Sequence, residues 1–436
     1  MTPIRFDDAW RNAGRVAEDV IRTGLDVVLV RDLAGRITLV LDDTGEAALP
    51  DGLEAGFRDA TGAFASGQPV LLASALFAPE AVLDAPDLIA RTERAAGRGR
   101  FAVLERTVVG ADWARPRAEP PLRRITLYGF KGGVGRSTAT FMLAKDLAAR
   151  GLCVLVADLD LESPGVGELL QRPDGRAPHG LVDHLVEAAV GNEDGLDLVS
   201  RSEVVRPPGN GEVWLLAADG GDPAKRDYLA KLNRIYAELP DGGNGASRTL
   251  ADRIEAALLA AEQQVAARSR EPDVVLLDSR AGIHDIAAIA ITRLSSLSLL
   301  FANDNPHTWA GYRMLFDQWR QLPAELRDDV RQRLKMVAAM VPSASAPERL
   351  ERFRDHAQQC FAETLYDDAS PADGAAFNFG PDDEDAPHFP LPILFSHDLV
   401  GIDHTDAPDW HDHPFIKAAY ERFLPEAGAL AVEEQE

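Results

Sequence analysis

A glycine-rich segment in the first half of the chain has the residue types that bind phosphate. Residues 125–138 read ITLYGFKGGVGRST, an apolar run followed by closely spaced glycines, a basic residue and two hydroxyl residues. Glycines let the backbone turn its N–H groups inward around an anion, and the N-terminus of a following helix adds partial positive charge. In such a loop Ser137 would offer its hydroxyl to Mg²⁺, and Thr138 would reach an α-phosphate.

The elements around this segment predict the fold that must position it. From residue 124 onward, apolar runs alternate with longer helical stretches, which is typical of a parallel α/β sheet. The runs are continuous rather than alternating, as expected for strands that are covered on both faces. Strands are predicted at 125–128, 153–157, 213–217, 274–277, 297–301, 337–341 and 392–395. The predicted fold class is α/β, a mostly parallel sheet flanked by helices.

The segment KGGVGR at residues 131–136 resembles the deviant Walker A motif of the ParA/MinD family of P-loop ATPases. More narrowly it is similar to the KGGVGR-motif variant ATPases, in which an arginine, here Arg136, takes the usual lysine position. The resemblance covers residues 122–425 and implies ATP and Mg²⁺ as ligands. It also implies that Lys131 reaches across a nucleotide-sandwich homodimer. Only six of the 45 basic residues are lysine, which supports a specific role for Lys131.

The same resemblance assigns roles to individual residues. Asp158 and Asp160 end a strand like the family's switch I segment, with Asp158 near the metal and Asp160 positioning water, although the two roles could be exchanged. Asp278 ends a strand that looks like Walker B. The predicted nucleotide-binding residues are Gly132, Gly133, Val134, Gly135, Arg136, Ser137, Thr138 and Gly282. The predicted metal-binding residues are Ser137, Asp158 and Asp278, and the predicted catalytic residues are Lys131, Asp160 and Arg136.

The sequence departs from the family pattern in two places that affect the chemistry. Arg136 keeps the positive charge but is bulkier than lysine, so we expect nucleotide binding with slow hydrolysis. The segment DSRAG at residues 278–282 replaces the more usual DTPPG. Within it Gly282 would offer an N–H near the γ-phosphate. Arg280 would either approach that phosphate or form a surface salt bridge to Asp285 or Glu271.

Three parts are predicted along the chain. Residues 1–120 form a small N-terminal α/β domain of unknown role, with a helix at 7–23, strands at 26–31, 36–41, 69–73 and 101–105, and a helix near 86–96. The Pro-rich segment 113–121 is the predicted linker. Residues 121–425 form the P-loop ATPase domain with an acidic loop at 367–390, and residues 426–436 form an acidic tail.

The charge distribution limits the classes of partner. The formal net charge is -25, and residues 367–436 hold 17 acidic and two basic residues, so they contribute 17 − 2 = 15 of that excess. This argues against a protein whose whole surface coats nucleic acid or an anionic membrane. Nine arginines in residues 91–130 form either a solvated surface or a docking site for a polyanion or an acidic partner. Without a signal peptide or a membrane span, a cytoplasmic location is predicted.

Three functions are compatible with these observations. The first is a Mg²⁺-dependent ATPase that acts as a dimer switch and controls an unknown protein partner or a cargo. The second is a non-hydrolysing nucleotide-binding scaffold in a bacterial defence or regulatory assembly. The third is a DNA-partition-type ATPase, which the overall charge disfavours and the arginine-rich segment keeps open.

Overall fold

The computed structural model describes residues 3–43, 50–85, 88–92, 94–95, 97–106, 110–114, 116–117, 123–221, 227–236, 249–369, 376–395, 397 and 409–432. The chain divides into two compact units, Met1–Ala111 and Asp112–Glu436. This division lies before the Pro-rich segment, whereas the sequence prediction placed the boundary after residue 120.

Trp113 explains where the second unit begins. Its ring is buried, with its centroid 6.2 Å from that of Tyr128 and 6.1 Å from that of Trp319. Its carbonyl accepts a hydrogen bond of 3.0 Å from the indole N–H of Trp319. The linker predicted at 113–121 is therefore wrong at its start, because burial of a large aromatic ring outweighs a Pro-rich composition. Residues 115 and 118–121 of that segment lie outside the described residues.

The first unit is a mixed sheet with helices packed on it. Its strands lie in the order β3-β2-β1-β5-β4 within the described residues, and small side chains on one face of α1 (Ala9, Ala13 and Ala17) are fully buried against the sheet. The elements are α1 (Phe6–Ile21), β1 (Asp26–Arg31), β2 (Ile37–Asp42), α2 (Leu53–Thr61), β3 (Ala65–Leu72), α3 (Glu80–Leu83), β4 (Ile89–Thr92) and β5 (Phe101–Glu105).

One predicted hairpin is confirmed in this unit, and one predicted helix is wrong. β1 and β2 pair antiparallel, as the short turn between them predicts. The helix predicted near 86–96 is contradicted, because its middle is β4, which pairs antiparallel with β5. Pairing with an otherwise open edge of β5 satisfies the backbone there and overrides the helical composition. Residues 86, 87, 93 and 96 lie outside the described residues.

The second unit has the predicted α/β fold. Its sheet order among the described residues is β13-β12-β11-β6-β10-β7-β9-β8, with every pair parallel except β8–β9. Its strands are β6 (Arg124–Gly129), β7 (Cys153–Asp158), β8 (Val199–Arg201), β9 (Glu212–Leu216), β10 (Val274–Asp278), β11 (Leu297–Ala302), β12 (Leu334–Pro342) and β13 (Leu391–Phe395).

Helices cover this sheet, and the central strands are buried along their whole length, as their continuous apolar runs predict. Because β6, β7 and β10 are parallel neighbours, the loops that follow them meet at one edge of the sheet. The helices are α4 (Arg136–Ala149), α5 (Val166–Leu170), α6 (Leu181–Ala188), α7 (Tyr228–Ile235), α8 (Leu250–Arg268), α9 (Asp285–Ile289), α10 (Pro306–Arg320), α11 (Ala324–Gln332), α12 (Ala346–Thr364), α13 (Pro414–Tyr420) and α14 (Phe423–Val432).

The predicted acidic tail is wrong for most of its length. Residues 426–432 belong to α14, and this helix buries Phe423, Ala427 and Ala431 in the core. Residues 426–432 contain one acidic residue, Glu426, and the remaining acids of the predicted tail are in residues 433–436, which lie outside the described residues. The described part of the predicted acidic loop at 367–390 is also anchored, because Asp367 pairs with Arg331 at 2.7 Å. Residues 370–375 of that loop are outside the described residues.

Several arginines of the basic segment have acidic partners within their own unit. Arg94 pairs with Asp26 at 2.7 Å, and the buried Arg124 pairs with Glu262 at 2.8 Å. Arg117 pairs with Glu255 at 2.5 Å. Part of the positive charge that the sequence concentrates in this segment is therefore neutralised internally. No helix in the described part of the chain is long and apolar enough to cross a membrane.

Candidate functional site

The glycine-rich loop between β6 and α4 is open to solvent. Gly133 and Gly135 have φ angles of +73° and +77°, a conformation that glycine adopts at little cost. A Cβ atom added at Gly132, Gly133 or Gly135 would meet no heavy atom within 4 Å. Val134 between them is buried and fixes the loop to the core. The free space above the glycines leaves room for an anion against the backbone.

Arg136 begins α4 and points into the protein. Its residue surface is 8% exposed, its Nε lies 3.2 Å from Asp278 Oδ1, and its Nη2 lies 3.1 Å from Asp160 Oδ2. Among the described residues Nη1 is buried without a hydrogen-bond partner. One guanidinium therefore bridges two predicted site carboxylates and keeps one N–H group uncommitted.

Asp158 and Asp278 lie next to each other at the ends of two adjacent strands. They end the adjacent parallel strands β7 and β10, are partners in the strand register, and are both fully buried. Burial raises the pKa of Asp158 to about 8, and the charge of Asp278 adds to this effect. Burial also raises the pKa of Asp278, opposed by the charge of Arg136 and by the nearby hydroxyls of Ser137 and Thr140.

The two buried carboxylates differ in their partners. Asp158 accepts backbone N–H groups from Asp160 at 3.2 Å, Gly165 at 3.1 Å and Gly167 at 3.2 Å, so it shapes the loop after β7. Asp278 has one oxygen, Oδ2, that is buried with no hydrogen-bond partner among the described residues. The metal-binding role of Asp158 stays a prediction, and Asp278 presents the uncommitted oxygen.

The residues present fit a divalent cation that is shared with a phosphate ligand. Asp278 Oδ2 is an orphaned buried oxygen, and Ser137 is a half-buried hydroxyl beside it. Carboxylate and hydroxyl oxygens suit Mg²⁺, which usually keeps several waters and takes phosphate oxygens as further ligands. The described residues contain no group of three or more His, Cys, Asp or Glu side chains that could hold a metal alone. The donor set therefore suits a metal that arrives with a nucleotide.

Asp160 and Lys131 occupy different positions relative to this centre. Asp160 is mostly buried, and burial raises its pKa while the charge of Arg136 opposes the shift. Lys131 is exposed on the loop, with its Nζ 5.7 Å from the ring centroid of Phe130. The structure thus brings Asp160, Arg136 and Asp278 together and leaves Lys131 at the surface.

Gly282 does not have the free N–H group that the sequence led us to expect. Its N–H donates to the Gly129 carbonyl at 3.2 Å, and its own carbonyl accepts the Tyr128 hydroxyl at 3.2 Å. Its φ of +81° is again a conformation that favours glycine. Both the N–H and the carbonyl of Gly282 are therefore hydrogen-bonded to the end of β6, and these two bonds hold the turn after β10 against that strand.

Of the two arrangements that the sequence left open for Arg280, the approach to a γ-phosphate stays a prediction, and the described salt bridge is to an acid other than Asp285 or Glu271. Arg280 forms an ion pair with Glu162 and approaches His284, with Nη1 3.3 Å from His284 Nε2. The expected salt bridge to Asp285 or Glu271 is therefore replaced by one to the loop after β7. Sequence reasoning missed Glu162, because no local pattern marks a contact between residues so far apart in the chain.

Comparison with known proteins shows to which family the chain belongs. Residues 125–352, just over half of the chain, match the model of the CobQ/CobB/MinD/ParA nucleotide binding domain. The chain belongs to this family. The matched range includes the glycine-rich loop, β7 and β10. The match to a CobQ/CobB/MinD/ParA domain confirms the predicted ParA/MinD-like nature of the second unit. The narrower KGGVGR-motif group stays a prediction.

Individual relatives match over shorter stretches. The cytosolic Fe-S cluster assembly factor NUBP2 of Mus musculus is 35% identical over 106 residues, 23% of this chain and 38% of that protein. The cytosolic Fe-S cluster assembly factor cfd1 of Aspergillus terreus is 33% identical over 92 residues, 19% of this chain and 30% of that protein. The chain thus spans about a third of the length of each relative.

The chain is also similar to solved structures at low sequence identity. pNOB8 ParA bound to nonspecific DNA has a TM-score of 0.45 at 16% identity, covering 72% of this chain and all of that one. The cell division protein MinD of Aquifex aeolicus has a TM-score of 0.39 at 18% identity, covering 72% of this chain and 99% of that one.

Proposed function

We propose that this protein is a Mg²⁺-dependent ATPase that works as a nucleotide-controlled dimer switch acting on a partner protein or cargo. The observation that carries the proposal is the buried Arg136–Asp278 pair below an open glycine loop, with Asp278 Oδ2 and Arg136 Nη1 both left uncommitted. An unpartnered acceptor and an unpartnered donor, both buried and carried by two paired side chains, suit a cation and a phosphate.

Each residue would have a distinct task in this reaction. The backbone of Gly132–Gly135 and the helix N-terminus would hold the phosphates, and Arg136 Nη1 would donate to a phosphate oxygen. Ser137 and Asp278 would hold Mg²⁺, which when bound supplies positive charge against the phosphates. Asp160 would orient the attacking water, with its carboxylate fixed by Arg136 Nη2. The exposed Lys131 would act across a homodimer.

Steady-state phosphate release tests the ATPase. We expect Asp160→Ala to lower turnover at least about 100-fold and to retain nucleotide binding, because a positioned base contributes a factor of this order. Asp278→Asn should weaken Mg²⁺-dependent nucleotide binding. Asp317→Ala is the matched control, since Asp317 is partly exposed and pairs with Arg320 one helical turn away.

The same experiment separates the second candidate function, a non-hydrolysing scaffold. The bond that occupies the Gly282 N–H favours this candidate, because that group is engaged within the protein. Wild-type protein that binds ATP but releases phosphate no faster than Asp160→Ala would contradict the ATPase and support the scaffold. The DNA-partition function draws less support, since Arg94, Arg117 and Arg124 already have acidic partners.

The dimer is tested by sedimentation with and without a non-hydrolysable ATP analogue. We expect the analogue to convert wild-type monomers to dimers and Lys131→Ala to stay monomeric. Lys417→Ala, at an exposed lysine that pairs with Asp412, should dimerise like wild type. Dimerisation of Lys131→Ala at wild-type concentrations would refute the role given to Lys131.

A further inference from the structure

A cluster of four side chains joins the loop after β7 to the loop after β10. We call Glu162, Tyr236, Arg280 and His284 the Glu162 cluster. The Glu162 carboxylate pairs with the Arg280 guanidinium, accepts the Tyr236 hydroxyl, and lies 3.4 Å from His284 Nε2. The Tyr236 and His284 rings pack edge to face at 5.6 Å. The Glu162 carboxylate thus contacts both the loop after β10 and the end of α7.

Helix α7 holds the same loop at a second point. The Tyr228 hydroxyl, at the first residue of the helix, donates to the Leu161 carbonyl at 2.7 Å. The helix is itself fixed, because Leu232 and Ile235 are buried in the core and Lys231 pairs with Asp183 of α6 at 2.5 Å. Two tyrosines at opposite ends of a fixed helix therefore hydrogen-bond to two consecutive residues of the loop, Leu161 and Glu162.

Leu161 and Glu162 directly follow Asp160 of the candidate site. Glu162 follows Asp160 by two residues, and the Ser163 N–H donates to the Asp160 carbonyl at 3.2 Å, so the two acids lie in one tight turn. On the other side, Arg280 follows Asp278 by two residues. A displacement of the Glu162 carboxylate would consequently be transmitted to the side chain that meets Arg136.

We propose that Glu162 is a positioning residue, which Tyr236 and Arg280 hold so that Asp160 stays in contact with Arg136. This role rests on the proposed ATPase, because it concerns the placement of the water-orienting carboxylate. It also connects helix α7 to the reaction, since the helix supplies the tyrosine hydroxyls. The polar contacts of Glu162 in the described part of the chain are with Tyr236, Arg280 and His284, and it would act on Asp160 through the turn.

Tyr236→Phe tests this role with the least disturbance, since it removes one hydroxyl and keeps the ring against His284. The N–H groups of Leu159, Asp160, Ser163 and Gly165 are hydrogen-bonded, so their exchange with deuterium reports opening of the turn. We expect exchange in residues 159–165 to accelerate about tenfold, the effect of losing a hydrogen bond to a charged group. We expect kcat for ATP to fall by a similar factor with KM unchanged, because the glycine loop is intact.

Matched variants separate positioning from general stability. Tyr366→Phe loses a comparable hydroxyl contact, to His388 in a different part of the unit, and should leave exchange in 159–165 and kcat at wild-type values. In a double-variant cycle, Tyr236→Phe added to Glu162→Ala should slow turnover no further than Glu162→Ala alone. Wild-type exchange in Tyr236→Phe, a rise in KM without a fall in kcat, or additive effects in the cycle would overturn the proposal.

The proposed ATPase and the positioning role of Glu162 would fail in different ways. Exchange is measured on the protein alone and needs no nucleotide. Wild-type protein without ATP turnover, but with exchange that depends on Tyr236 and Glu162, would refute the ATPase and leave the contact between α7 and the turn established. If the wild-type protein hydrolyses ATP and Tyr236→Phe changes neither the exchange in residues 159–165 nor kcat, only the positioning role is refuted.

Discussion

At the scale of single residues, Arg136 shows what an arginine contributes at the start of α4. Its Nε and Nη2 groups contact carboxylates from two different strands, Asp278 and Asp160, and Nη1 remains. A lysine has one compact ammonium on a flexible stem and lacks this fixed fork of donors. The sequence indicated only that the charge is kept. The structure adds that the guanidinium balances a group of buried acids.

Asp158 gives a residue-scale prediction about pH. Because burial raises its pKa to about 8, the folded protein holds a proton between pH 4 and 8 that the unfolded chain releases. The free energy of unfolding should therefore fall as pH rises through this window, by at most about 1.4 kcal/mol per pH unit for one group. Asp158→Asn should flatten this fall. Urea denaturation at pH 5, 6, 7 and 8 with a chelator measures it.

The control for the pH prediction is Asp317→Asn, a change at a partly exposed acid in the same unit. It should keep the wild-type pH dependence. Parallel stability curves for wild type and Asp158→Asn would contradict a raised pKa at this position.

At the scale of elements, the sequence predicts the strands well and the ends of the second unit poorly. Continuous apolar runs marked β6, β7 and β10, because strands covered on both faces need such runs. Helix α14 was not predicted, since the acids that follow it at residues 433–436 gave the end of the sequence an acidic character although the helix itself holds only Glu426. The helix predicted near 86–96 failed because tertiary pairing with β5 overrides local propensity.

The candidate site was predictable where the chemistry is local and not where it depends on distant contacts. The loop at 131–138 and the carboxylates at strand ends follow from spacing, and the structure gathers Arg136, Asp160 and Asp278 at one edge of the sheet. The contact of Arg280 with Glu162 joins residues more than 100 positions apart. No pattern within either segment encodes it, so only the folded chain shows it.

Phe423 supplies the element-scale prediction. Because its ring is fully buried and packs against Phe301 at a centroid distance of 6.2 Å, Phe423→Ala should lower the free energy of unfolding by about 3–5 kcal/mol. Val432→Ala, at an exposed position on the same helix, should change it by less than about 0.5 kcal/mol. Urea denaturation compares them. A small effect at Phe423 would mean that α14 is not part of the core.

At the scale of the whole molecule, the candidate site lies entirely in the second unit. The glycine loop, the strand-end carboxylates and the Glu162 cluster all fall within Asp112–Glu436. The first unit has its own sheet and its own core.

Truncation tests this division. A chain of residues 112–436 should fold cooperatively and bind nucleotide with an affinity within about threefold of the full chain, as measured by titration with a fluorescent ATP analogue. A chain of residues 121–436 should be less stable by several kcal/mol, because it lacks the buried Trp113 and the carbonyl that Trp319 uses. Equal stability of the two fragments would contradict the boundary at 111.

The bonds at Gly282 bear on how this protein distinguishes one nucleotide from another. A ligand that takes the Gly282 N–H must first break its bond to the Gly129 carbonyl, and a shift of that turn also disturbs the bond from the Tyr128 hydroxyl. A nucleotide whose phosphate chain is too short to reach the turn leaves both bonds in place. Discrimination between a triphosphate and a diphosphate would then reside in one glycine turn that has two alternative partners, rather than in the shape of the pocket.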